Sequence, residues 1–323
     1  MCTRIMYQTE TGKFITARGM DWNDPTAKTS MIVYPRGLAQ TGGSMENALT
    51  WTSKYGSVFA SFYGKASSDG LNEAGLAANT LYLAEADYGD YTLSNKPRLS
   101  IGAWNQYFLD NFATVAEAVA AMQEPPFVIV APLLPNGRAA SVHLSLSDST
   151  GDSAILEYVD GELKIHHSND YRVMTNSPVF DEQIAINKYW ELVGGDKMLP
   201  GTINAADRFV RANYLLKSTP NFADGQEATA AALSVLRSVG VPLGMEDPEH
   251  PNISATLWRS MSDHDAKRFF LDSASQPALI WVDLDNLNLE QGAPIMAIEL
   301  NGPEFIAGDV TDKLAQTSMI TWM

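Results

Sequence analysis

One cysteine stands in the 323 residues, at position 2. An intramolecular disulfide is therefore excluded, as is a metal cluster held by several thiolates. Histidine is scarce as well. His143, His166, His167, His250 and His264 show no HExxH or comparable ligand spacing, and the adjacent His166 and His167 point to opposite faces of a strand. Neither a metal nor a cofactor is expected. Basic side chains are outnumbered, 22 against 38 acidic ones, giving a formal net charge of -16 and a pI near 4.6. A surface of that sign repels phosphate backbones and anionic headgroups, so neither nucleic acid nor a membrane is an expected partner. Long apolar runs are missing too: no stretch reaches the roughly 18 residues that a membrane span needs. The start, MCTRIMYQTETG, lacks the basic opening and apolar core of a secretory signal. The expectation is a soluble protein, cytoplasmic as the chain stands and periplasmic if a leader has been trimmed ahead of Cys2.

What is present is ordinary globular composition, 45% hydrophobic and 10% aromatic, enough to bury a sizeable core. No Pro/Ser-rich linker, charge block, fixed-period repeat or low-complexity tract divides the chain, and a single domain over residues 1–323 is expected. TRIMYQT and FITARGM read as a hairpin around Thr11-Gly12, followed by a loop and a third strand at SMIVYP. SVFASFY, GLAANTLYL, FVIVA, SVHLSLS and SAILEYV read as further strands, the last joined to ELKIHH by Asp160-Gly161, a favoured type I′ pair. Helical periodicity predicts helices around 100–123, around 177–194 and twice between 205 and 240. Asn176 and Ser177 are candidate caps of the middle helix, with Pro178 in its first turn and Gly194-Gly195 at its end. Strand signals return in SATLWRSM, KRFFLD, ALIWVDL, PIMAIEL and SMITWM. Strands, then helices, then strands fit an α+β plan in which two antiparallel sheets pack together with helices outside.

The position of the lone cysteine carries the chemistry. Removal of Met1 leaves a thiol and a free α-amino group on one residue. That amine titrates at about 7.7–8.0 and the thiol at about 8.5, so nucleophile and general base arrive together and no neighbouring histidine is needed. A papain-like protease, by contrast, carries its cysteine on a helix inside the chain. If the first two strands form a hairpin, the end of the second returns beside Cys2 and brings Arg18 and Asp21 with it. A guanidinium there favours thiolate, and a carboxylate can hold the amine. On position alone Cys2 also reads as a packed small residue, and Arg18 and Asp21 as an ion pair.

MC at the start, RGMDW, DGLNEAGLAANTLYL, MTNSPVFDEQ and LPGTINAADRFVRA resemble, in that order, the choloylglycine hydrolase and penicillin V acylase family of N-terminal-nucleophile hydrolases. The resemblance implies a four-layer αββα sandwich and loss of Met1 in the active form. It implies Cys2 as nucleophile with its own α-amino group as base, Arg18 and Asp21 assisting, Asn176 as an oxyanion-hole donor and Arg208 completing the polar site. Arg211, one helical turn on, is the alternative to Arg208. A second oxyanion donor in the family is a backbone N–H that falls here on Tyr82. Bile-salt-hydrolysing members often carry Asn at that position, so Tyr82 is similar to the penicillin V acylase branch.

For the acyl pocket the candidates are Met20, Trp22 and Tyr82, with Leu133 and Leu134 as a wall; each also reads as a core residue. The implied substrate is an N-acylated small molecule hydrolysed at a linear amide: penicillin V or an N-acyl homoserine lactone, with conjugated bile salts as the alternative. A non-catalytic binding protein on the same fold is the reading from another class. The resemblance also implies a homo-oligomer. Only 32 residues (208 minus 176) separate Asn176 from Arg208, where many bile-salt enzymes have a longer assembly loop, so a tetramer built on that loop stays open.

Overall fold

The computed structural model describes residues 1–323 apart from 136, 139, 195, 196, 247, 248 and 250–253. The chain opens with the expected hairpin. β1 (Cys2–Gln8) and β2 (Phe14–Asp21) run antiparallel, with Cys2 opposite Met20 and Arg4 opposite Arg18. Gly12 supplies the positive φ that the turn requires (83°). Both strands are buried on both faces, which is why their sequences alternate so weakly between apolar and polar.

The hairpin lies in a seven-stranded sheet ordered Val173–Met174, β1, β2, Thr256–Asp263, Arg268–Ser273, Leu279–Asp283 and Gly308–Asp309. Only the last pairing is parallel. A nine-stranded antiparallel sheet runs from Glu162–His167 through Ser153–Val159, Val142–Ser147, Ala77–Tyr82, Ala66–Asn72, Ser57–Phe62, Ser30–Tyr34 and Met296–Glu299 to Ala315–Gln316. Asp160 and Gly161, at φ 55° and 78°, close the predicted type I′ turn.

Helices cover the two outer faces. α1 (Ile101–Asn111) lies on Ala66–Asn72 and Ala77–Tyr82, and α2 (Val115–Met122) on Ser153–Val159. On the other side α4 (Ala205–Ser218) packs on β1 and α5 (Gln226–Ser238) on β2, with α3 (Phe180–Val193) against α4. The sheets meet where β1 and β2 touch Ala77–Tyr82 and where Thr256–Asp263 and Arg268–Ser273 touch Ala66–Asn72. The layers are therefore helix, sheet, sheet, helix. Gly70 lets α1 approach closely: a Cβ there would stand 2.5 Å from Leu109 Cδ1 and 2.8 Å from the Val58 carbonyl. Leu109 is fully buried, as are Phe59 and Phe108, each contributing about 1.5–3 kcal/mol. No helix among the described residues is long and apolar enough to cross a membrane.

Three local expectations need correction. The helix around 100–123 is two helices, because Thr114 caps a new start: its Oγ1 accepts from Glu117 N at 3.2 Å while Glu117 Oε2 accepts from Ala113 N at 2.9 Å. The helix around 177–194 begins only at Phe180, and neither Asn176 nor Ser177 caps it. Asn176 turns to the site described below and Ser177 Oγ donates to Glu85 at 2.7 Å, so the buried carboxylate of Glu157 receives the Phe180 N–H instead, at 3.0 Å. Gly194 does end the helix, its N–H on the Trp190 carbonyl, while Gly195 lies outside the described residues. SMITWM is not a strand; its Trp322 is buried against the Tyr34 and Phe59 rings.

Candidate active site

Because β1 and β2 pair in register to their ends, the second strand delivers Arg18 to the start of the first. Arg18 Nη2 donates to Cys2 Sγ at 3.2 Å and to the Thr80 carbonyl at 2.6 Å. Nη1 meets Asp69 Oδ2 at 2.7 Å, an ion pair with 1% and 0% of the side chains exposed. Asp69 accepts further hydrogen bonds from Asn79 Nδ2 at 2.7 Å and Ser68 Oγ at 3.1 Å. With water excluded, these partners fix the guanidinium, which keeps positive charge beside the sulfur.

Asn176 reaches Cys2 from the other side. Its Oδ1 accepts from Cys2 N at 2.5 Å and from Arg208 Nη2 at 2.9 Å, and its Nδ2 donates to the Tyr82 carbonyl at 2.6 Å. The segment carrying it is held by buried polar groups. His143 Nε2 is 2.9 Å from the Thr175 carbonyl, and Gln183 Nε2 donates to the carbonyls of Asn176 and, at 2.6 Å, Pro178. Arg208, on the inner face of α4, donates through Nη1 to the Cys2 carbonyl at 2.6 Å and to Thr3 Oγ1, and through Nε to the Ile203 carbonyl at 2.9 Å. Arg211 instead bonds the carbonyls of Pro200 and Thr202, away from Cys2. Asp21 sits 3.9 Å from Arg208 Nη1 and accepts from Thr256 Oγ1 at 2.6 Å. Burial pushes its carboxyl up, opposed by Arg208 and that hydrogen bond.

Residue 1 is attached in this structure, so Cys2 N is a peptide nitrogen standing where a free α-amine would be after cleavage. The Met1 amine donates to the Asp21 carbonyl at 2.8 Å. Burial lowers its pKa, against the opposing charges of Cys2 and Asp21.

Tyr82 lies opposite Val142, whose N–H and carbonyl both engage Tyr88 Oη at 2.8 Å, while the next N–H, of Leu83, reaches the Ser141 carbonyl at 3.1 Å. Tyr82 and Val142 are thus a non-hydrogen-bonded pair, and the backbone of Tyr82 faces away from that neighbour. Its carbonyl meets Asn176 Nδ2, and its N–H, on the same side of the strand, points into the same space.

That space continues into a pocket of about 570 Å³, its open mouth included, whose walls include Cys2, Arg18, Met20, Trp22, Phe62 and Tyr82. The Trp22 ring is flanked by Phe62 at 5.7 Å and Tyr82 at 6.3 Å, and its Nε1 donates to Tyr63 Oη at 3.0 Å, which donates in turn to Asp24 at 2.7 Å. Leu134 lines this pocket. Leu133 does not: it is 70% exposed.

Residues 2–301 match the family model of linear amide C–N hydrolases, choloylglycine hydrolase family. The chain belongs to this family. It is 47% identical over 308 residues to a penicillin V acylase of Pectobacterium atrosepticum, covering 89% of this chain and 82% of the relative. It is 28% identical over 242 residues to a bile salt hydrolase/transferase of Clostridium perfringens, covering 67% of this chain and 71% of that one. The solved penicillin V acylase of Agrobacterium tumefaciens superposes with a TM-score of 0.92 at 46% identity, covering 100% of this chain and 99% of its own. The chain is a penicillin V acylase-like hydrolase of linear amides, and its layers are the αββα sandwich of the N-terminal-nucleophile fold.

Several residues that the structure places around Cys2 carry little or no signal in the sequence. Asp69 opens the DGLNEAGLAANTLYL segment, and a lone carboxylate in a fully buried strand of otherwise uncharged residues, ASSDGLN, was the available signal. Thr256 and Phe62 had none, since each acts through a partner remote in sequence, Asp21 and Trp22 respectively; Gln183 acts on the nearby Thr175, Asn176 and Pro178, and nothing in its own residue type marks it. Among the described residues no group of three His, Cys, Asp or Glu side chains converges as a metal site, and His250 lies outside them.

Proposed function

We propose that, once Met1 is removed, the chain uses Cys2 to hydrolyse the side-chain amide of penicillin V and related N-acyl amines. The observation that carries this is the contact of the chain's only thiol with a fully buried arginine, 3.2 Å away at the base of an aromatic pocket. The α-amine of Cys2 takes the thiol proton, and the thiolate attacks the amide carbonyl. The second N–H of Asn176 Nδ2 and the Tyr82 N–H receive the oxyanion. The ammonium returns its proton to the leaving nitrogen, the amine product departs, and a water activated by the same amine cleaves the thioester to the free acid. Arg18 donates to the sulfur that attacks and holds it at the pocket. Arg208 and Asp21 hold Asn176 and the strand end in register. Trp22, Phe62, Met20 and Tyr82 form a slot with aromatic faces, which suits an aryloxyacetyl group. A straight acyl chain fits the same slot, so N-acyl homoserine lactones are the second substrate class. A homo-oligomer belongs to this reading too: Tyr189, Leu192 and Val193 of α3 are exposed apolar side chains, and sedimentation of the purified protein tests it.

The test is a kcat/KM panel of penicillin V, an N-acyl homoserine lactone and glycocholate, run with intact-mass measurement of the N-terminus. Penicillin V is expected to lead. A dominant preference for glycocholate overturns the substrate ranking. Wild-type-like turnover by Cys2→Ala, or by protein that keeps Met1, overturns the mechanism.

A further inference from the structure

Met323 lines the same pocket as Cys2, although the two residues stand at opposite ends of the sequence. Its backbone is fixed on both sides. Met323 N donates to the Lys65 carbonyl at 3.1 Å, and its own carbonyl accepts from Ser100 Oγ, the side chain that also caps α1 by accepting from Gly102 N at 3.2 Å. One residue back, the Trp322 indole is buried with its ring centroid 6.4 Å from Tyr34 and 6.3 Å from Phe59, and Ile320 N donates to Tyr34 Oη at 2.8 Å. These contacts seat the tail while leaving the thioether side chain of Met323 on the pocket. The facing helix makes room for it: a Cβ at Gly102 would stand 3.1 Å from Met323 Cγ and 2.9 Å from the Lys65 carbonyl. Gly102 has no positive φ to explain its presence. Close approach does, of the Lys65 carbonyl first and of the Met323 side chain next.

We propose that Met323 is a specificity-determining wall of the acyl pocket, limiting the size of the acyl group that reaches Cys2; the inference rests on the amidase reading above. The wall is unbranched and polarisable, so it can yield to a flat ring or a thin chain and still exclude bulk. Shortening it lengthens the apolar space, and widening it closes that space. A change of even one methylene in an apolar pocket alters selectivity by roughly 10-fold or more.

The test uses the full chain with Met323→Ala, Met323→Trp and Met323→Leu. The first readout is the ratio of kcat/KM for an N-decanoyl amide over penicillin V. The second needs no hydrolysis. Because Cys2 is the only cysteine, its alkylation rate by iodoacetamide, compared with that by an N-decyl iodoacetamide, reports pocket size directly. Met323→Ala is expected to raise both bulky-to-small ratios by about tenfold, Met323→Trp to lower them, and Met323→Leu to stay near wild type. Thermal midpoints close to wild type exclude loss of the tail as the cause. Alkylation ratios that do not move in either Met323→Ala or Met323→Trp overturn the inference. Alkylation ratios that move while no acyl amide is hydrolysed by the wild type leave the wall standing and sink the amidase reading instead.

Discussion

The guanidinium of Arg18 is shared between Asp69, 2.7 Å from Nη1, and the thiol of Cys2, 3.2 Å from Nη2. Asp69 therefore both neutralises Arg18 and aims it. Asp69→Asn leaves a buried guanidinium without its counter-charge, a change that typically destabilises by about 3–5 kcal/mol. Urea unfolding is expected to show the loss of stability, and kcat/KM to fall with it. Asp69→Asn combined with Arg18→Met removes both charges and is expected to recover stability without recovering activity. An Asp69→Asn protein as stable as wild type would contradict this account.

Asn176 is asked to do three things at once: accept from Cys2 N, accept from Arg208 and offer a donor beside Tyr82. Under the proposed mechanism Asn176→Ala removes a donor from the developing oxyanion, a loss expected to cost about 3–4 kcal/mol, or roughly 10²–10³ in kcat. KM is expected to change much less, because the contact strengthens only in the transition state. A variant whose loss lies wholly in KM would reassign Asn176 to substrate binding.

How much of this was legible beforehand follows from distance along the chain. The hairpin of β1 and β2 was readable because a short turn closed by Gly12 sets its register locally, and that register alone carries Arg18 and Asp21 to Cys2. Asp69 was marked only as a lone carboxylate in its strand; its partner is 51 residues away, so the pairing with Arg18 was not legible. Asn176 was reachable through the family resemblance and not through its local signal. Its local signal, a polar residue ahead of a helix, is that of a cap, yet the amide is engaged by Cys2, Arg208 and Tyr82 and the helix takes Glu157 in its place. The break between α1 and α2 was present in the sequence as Thr114 and Glu117 but was masked by apolar periodicity that runs across it. Of Leu133 and Leu134, which the sequence does not tell apart, the fold brings only Leu134 to the pocket.

Glu157 links the fold to the site and gives acid sensitivity a definite sign. Burial pushes its carboxyl up, but the His143 hydrogen bond at 2.7 Å, the His166 ring nitrogen 3.4 Å away and the charge of His143 outweigh that and bring it down to about 2. Its folded value is below its unfolded value of about 4.3. The stability it contributes is therefore present above that unfolded value and is lost as pH falls toward 2. Glu157→Gln is expected to lower stability by a few kcal/mol at pH 7 and to flatten the dependence between pH 5 and 2, roughly the size the linkage predicts. Because His143 also holds the Thr175 carbonyl next to Asn176, kcat is expected to drop too. Equal slopes for wild type and variant in acid titrations followed by circular dichroism would rule this out.

Asp110 acts in the opposite direction. It is fully buried, its carboxylate meets Gln106 Nε2 at 2.8 Å and Trp51 Nε1 at 2.7 Å, and burial pushes it up to about 7 against those two hydrogen bonds. With the folded value raised above the unfolded one, stability is full below about pH 4 and declines as pH rises through 7, where the folded protein must ionise a carboxyl that water would ionise far more readily. Asp110→Asn keeps an acceptor for Trp51 and, with the Gln106 amide turned, can offer a donor to Gln106 Oε1, which now lacks a partner. The variant is expected to match wild type near pH 4.5 and to exceed it at pH 8 by an amount on the order of a few kcal/mol, with the gain appearing between those values. Thermal or urea midpoints measured across that range check it; a constant difference between the two proteins at every pH would mean that Asp110 is ionised in the folded state throughout.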